Sequence, residues 1–145
     1  DSEHLEKLGR EVGFVFNFKK AKKIPNTLQS HRLIELFTDV KIRSEIVEEL
    51  FLSYFTEGLN ISLKEDLLKI GKKMHLDALI LEKFFYSDEC LDKVVRQEEL
   101  SREKNIFGVP TFVINDQYLL QGAQEPDTIA SFLRRIRDKV DLKLD

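Results

Sequence analysis

The sequence predicts an α/β fold in which one short hairpin is set among many helices. Three observations predict it. The stretch "VPTFVINDQYLL" (Val109–Leu120) places apolar runs on either side of Asn115-Asp116, a two-residue turn signal. Between Asn26 and Asn105, apolar residues recur at helical spacing, divided by caps and stops into five segments. Finally, Pro126 and Asp127 open an amphipathic stretch, where proline suits the first helical turn and a carboxylate favours the helix dipole.

In chain order, Ser2–Arg10 reads as a short helix with Leu5 and Leu8 on one face, stopped by Gly9 and Gly13. "VGFVFNF" alternates Val12, Phe14, Phe16 and Phe18 with other residues, the period of a strand or extended segment. "KKAKKIPN" is a lysine-rich connection, read as a solvated loop, since no aromatic residues interleave the lysines. Asn26 or Thr27 caps the first of the five helices, with Leu33, Ile34, Phe37 and Val40 on one face. The second runs from about Ile42 to Glu57 and stops at Gly58. "SLKE" (Ser62–Glu65) has capping-box form and opens the third. Asp77 caps the fourth, "ALILEKFFYS". The fifth starts at Ser87 or Asp88 and ends near Asn105, with Leu91, Val94 and Val95 inward. Val109–Ile114 and Gln117–Leu120 form the hairpin, closed by Gly122, and Ile129, Phe132, Leu133 and Ile136 line the last helix.

With 145 residues, 42% hydrophobic and 34% charged, the chain suits a globular domain. A net charge of −3 gives nucleic acid no electrostatic footprint, and no apolar run is long enough to span a bilayer. No secretory signal opens the sequence, and a cytoplasmic location is expected. Cys90 is the single cysteine, so this chain cannot by itself form an internal disulfide or a zinc cluster. His4 and His75 stand alone, the acidic pairs are spread along helical faces, and no metal site is expected. Cys90 reads as a small, partly buried apolar residue, and His31 as a residue bonded to a neighbour.

"VPTFVI" is apolar on both faces, as a central strand is. A hairpin with one further candidate at Phe14–Phe18 cannot bury it, so the expectation is of missing neighbours. They would come from an absent N-terminal part or a second copy of the chain. Pro110 removes a ladder donor at the start of this strand. A cis bond is affordable before proline, and backbone groups left open beside it suit an incoming extended peptide.

"GVPTFVI", the hairpin, "GAQEP" and the closing helix together resemble the C-terminal half of the thioredoxin fold, more narrowly the DsbA-like FrnE group of thiol–disulfide oxidoreductases. "PNTLQSHRL" (Pro25–Leu33) and "YFTEGLNIS" (Tyr54–Ser62) resemble that group in the same order. The resemblance implies a partial thioredoxin-like domain over 1–26 and 106–145, split by an all-helical insertion over 27–105. It implies that Val109-Pro110 is a cis-proline loop that docks substrate, and that Asn26, Thr27 and His31 line the cleft. Gly108 would shape the loop, and Gly122, Ala123 and Gln124 the turn into the last helix. The implied partners are thiol- or disulfide-containing proteins or small molecules, with self-association as a way to complete the sheet and no cofactor.

The chain departs from the group in having no Cys-x-x-Cys at a helix N-terminus, where a thiolate is stabilised. The N-terminal strand and its cysteines are expected to be missing and the chain alone inactive. Two alternatives remain open. Kappa-type glutathione transferases and 2-hydroxychromene-2-carboxylate isomerases share the insertion and use glutathione, but carry a "GQD"-like stretch where "GAQEP" stands here. The other is a non-catalytic interaction domain.

Overall fold

The computed structural model describes residues 2–141. They form seven α-helices, α1 (Ser2–Glu11), α2 (Leu28–Glu35), α3 (Val40–Phe51), α4 (Lys64–Lys73), α5 (Ala78–Phe85), α6 (Leu91–Glu103) and α7 (Pro126–Asp141), with strands β1 (Thr111–Ile114) and β2 (Tyr118–Gln121). Contacts divide the chain into two compact units, one up to Arg96 and one from Gln97.

The first unit is helical. Leu33 of α2, Ile46 and Leu50 of α3, Leu67 and Ile70 of α4, and Leu81, Phe84 and Phe85 of α5 form one buried cluster. Each full burial of such a side chain stabilises by roughly 1.5–3 kcal/mol. Asp39 and Asp77 accept hydrogen bonds from first-turn N–H groups, which starts α3 and α5 at those positions.

Several elements differ from expectation. Phe14–Phe18 is no strand: residues 14–17 carry no regular structure and Phe18 enters a turn. Its alternation is real, because Phe14, Phe16 and Phe18 pack around Phe55, with Phe16 and Phe18 stacked at 5.3 Å. The partner is a helix end, so the backbone is satisfied singly: Asn17 N–H donates to Phe55 C=O at 2.7 Å, and Thr56 Oγ1 to Val15 C=O. The helix expected over Ile42–Glu57 starts at Val40 and widens into a π-helical turn over Leu52–Glu57, which Gly58 ends at φ +80°. Val40 is 77% exposed; it opens α3 and does not share the inward face of α2. Ser62 caps no helix: Leu63 is the N-cap of α4, and Ser62 Oγ is taken by Asn26. Val95 is exposed while Val94 is buried.

In the second unit, β1 and β2 pair antiparallel, Thr111 opposite Gln121 and Ile114 opposite Tyr118. Residues 115–117 form the loop, with Asn115 and Asp116 both at positive φ, so β2 begins one residue later than a two-residue turn would give. That shift sets Phe112 opposite Leu120. Ile136 of α7 is buried, and with Ile114, Leu133 and Val140 it borders a hollow beside the hairpin. The expected burial of β1 on both faces is not met within the described residues: Phe112 and Val113, on opposite faces, are each 42% exposed. Among the described residues the sheet has two strands and no third to cover it.

Candidate functional site

The hairpin ladder determines which backbone groups of β1 are free. Gly122 N–H donates to Pro110 C=O at 2.8 Å, and Gln117 N–H to Ile114 C=O. With the observed register, Pro110, Phe112 and Ile114 turn their polar groups toward β2. Thr111 and Val113 therefore turn their N–H and C=O groups away from it, and the sheet places no strand on that side. This outer edge is short and free of charged residues, the property that lets an edge accept another chain.

The loop ahead of it is exposed. The Val109–Pro110 peptide is cis. Val109 is 93% exposed and Phe107 77%. Thr111 Oγ1 donates to Gly108 C=O at 2.7 Å, closing the loop on itself, while Gly108 faces open space. Gln121 Nε2 donates to Asn105 C=O at 2.8 Å. Gly122 takes φ +81°, which glycine adopts without penalty, and Gln124 Nε2 donates back to Gln121 C=O. Gly108, Val109, Pro110, Gly122 and Gln124 are thus gathered at one end of the hairpin, with Ala123 exposed between the last two.

Asn26, Thr27 and His31 are gathered in the first unit, at the start of α2. Asn26 N–H donates to Ser62 Oγ at 2.7 Å, and Asn26 Oδ1 accepts from Leu28 N–H. Thr27 is the N-cap by position, with no side-chain cap bond; its C=O accepts from His31 N–H, and the His31 side chain is exposed. A hydrogen-bonded series fixes Asn26 from behind. Ser62 N–H donates to Asn60 Oδ1, and Asn60 N–H to Asp66 Oδ2 at 2.9 Å. Burial acts to raise the Asp66 carboxyl, but the hydrogen bond from Lys69, the Asn60 N–H and the Lys69 charge outweigh it and hold it below 3.8. Lys73, away from this turn, is held above 10.5 by Glu57 and Glu49 against the opposing effect of burial.

The sequence reading missed Arg32. It is 3% exposed, and its guanidinium donates to Glu89 C=O, Ser87 C=O and Gln29 Oε1 while lying 4.8 Å over the Phe84 ring. A signal existed: Arg32 interrupts a Leu28–Leu36 row at i, i+4, i+8, where an inward cation needs partners. Cys90, half buried, packs against the helical core at the start of α6, as a small apolar residue does. No three His, Cys, Asp or Glu side chains converge on a metal position, and no helix is long and apolar enough to cross a membrane, among the described residues.

Comparison with known proteins agrees with this architecture. No curated protein matches the chain. A solved structure, that of the probable DsbA oxidoreductase of Streptomyces coelicolor, superposes with a TM-score of 0.76 at 19% identity. The match takes in 92% of this chain and 57% of that one, so the chain spans little more than half the length of its neighbour. At that identity the likeness is one of fold. The family model described as the DSBA-like thioredoxin domain matches residues 2–134. The chain, with its exposed Gly108–Pro110 loop, single hairpin and large helical unit, belongs to the DSBA-like thioredoxin domain family.

Proposed function

We propose that the chain provides the peptide-docking part of a thiol–disulfide oxidoreductase of the FrnE-like group, acting with a redox cysteine pair that lies outside these 145 residues. The observation that carries this reading is the uncharged outer edge of β1, where Thr111 and Val113 present unused backbone groups directly after the exposed Val109-Pro110 loop. Membership of the family supports it. An extended segment bearing a thiol or disulfide pairs with Thr111 and Val113 by β-augmentation, and the flanking side chains, all apolar or hydroxyl, favour uncharged peptide. The cysteine pair supplies thiolate attack on the bound disulfide. Residues 1–26 and 106–145 form the thioredoxin-like part in this reading and 27–105 the insertion, with Asn26 at the end of the first segment and Thr27 and His31 of the insertion as further substrate-binding residues. Left without its neighbour, the same edge pairs with a second copy of the chain.

Oxidation of a two-thiol peptide by glutathione disulfide tests the division of labour. Added chain is expected to leave the rate at the uncatalysed level, as is its Cys90→Ser variant. An acceleration that Cys90→Ser removes would contradict it, because the redox chemistry would then be resident here.

A further inference from the structure

Lys19, Lys20, Lys22 and Lys23 fall within five residues, and no acidic side chain occurs between Val12 and His31. The segment is the expected solvated loop, with all four lysines exposed, but its backbone is anchored. Lys20 N–H and Ala21 N–H both donate to Asn17 C=O, and Asn17 itself is tied to Phe55. At the other end, the Tyr54 hydroxyl donates to Lys23 C=O at 2.9 Å. Between them the backbone lies so close to Gly58 that an added Cβ there would stand 2.5 Å from Lys20 Cβ and 2.9 Å from Lys20 C=O.

The fixed loop rims a hollow of about 290 Å³ lined by Lys20, Lys22, Lys23, Tyr54, Leu59 and Asn60 among others. Among the described residues, none of the four lysines forms an ion pair with a carboxylate. Glu57, the nearest acid in sequence to Gly58, is engaged by Lys73. Asn60 Oδ1 accepts from Ser62 N–H, which leaves the Asn60 amide N–H groups to donate. The anchored backbone thus keeps four exposed lysines on one short segment with no paired carboxylate, a local positive field that attracts an anion. Tyr54 and Leu59 add an apolar wall.

We propose that this hollow is a binding site for a small phosphorylated ligand, its phosphates held by Lys20, Lys22 and Lys23 and the Asn60 amide, independent of the hairpin edge. The test is an amide-resolved NMR titration of the full chain at about physiological ionic strength. Probes are pyrophosphate, adenosine monophosphate and adenosine, against wild type, Lys20→Gln/Lys22→Gln/Lys23→Gln, and a charge-matched Lys72→Gln/Lys83→Gln/Lys104→Gln control. The proposal expects saturable shifts at residues 19–23 and 58–60 with both phosphates and none with adenosine. It expects affinity to fall at least about tenfold in the first variant and to hold in the control. Shifts without saturation, equal loss in the control, or tighter binding of a single-stranded oligonucleotide than of pyrophosphate would overturn it.

Discussion

Asp66 connects a local pH response to the turn that carries Asn26. Its carboxyl lies below 3.8 in the folded chain, so the unfolded chain binds the proton more readily. The stability it contributes is therefore present above about pH 3.8 and is lost as pH falls through the lower folded value. Urea midpoints of wild type and Asp66→Asn should differ near neutral pH and converge in strong acid; a gap that widens on acidification would refute the assignment. Arg32 acts at the same scale through its hydrogen bonds. Arg32→Met takes the charged donor from the part-buried hydrogen bonds to the Ser87 and Glu89 carbonyls, each worth about 1.5–3 kcal/mol as a bond to a charged group. Chemical denaturation should show a loss of about 2 kcal/mol or more, whereas Lys83→Met, on the exposed face of α5, should be nearly neutral.

Among the elements, the hairpin makes the sharpest claim. Val113 belongs to a non-hydrogen-bonded pair, so Val113→Pro removes an outward N–H and spares the ladder. Peptide affinity should drop about fivefold, the worth of one hydrogen bond near 1 kcal/mol, with the hairpin retained by NMR. Phe112→Pro, which removes a ladder donor, should unfold the hairpin instead. The hairpin, α7 and the Asp77 cap were legible in the sequence because turn residues, caps and periodicity act locally. The remainder depended on partners far along the chain. Alternating phenylalanines specify an extended backbone with one buried face, and only the tertiary fold decides that Phe55 lies against it. Ser62 had the form of a cap, but Asn26, 36 residues away, took its hydroxyl. Of the site, the Val109-Pro110 loop was visible as a proline in an apolar run; the outward edge required the register, which the three-residue loop sets.

At the level of the whole molecule, an edge with two exposed faces predicts concentration-dependent association. Light scattering should give a molar mass that rises with concentration toward twice 17.0 kDa, and Val113→Pro should shift that rise to higher concentration. The proposed docking surface is that same edge, so dilution to the monomer should free it for peptide. Amide hydrogen exchange on the dilute chain, with and without a saturating uncharged extended peptide, tests this most directly. Thr111 and Val113 N–H groups are predicted to exchange fast alone and to become protected with peptide, while Phe112, already bonded across to Leu120, stays unchanged. Thr111 and Val113 exchanging equally fast with bound peptide would contradict the assignment of this edge as the substrate-docking surface.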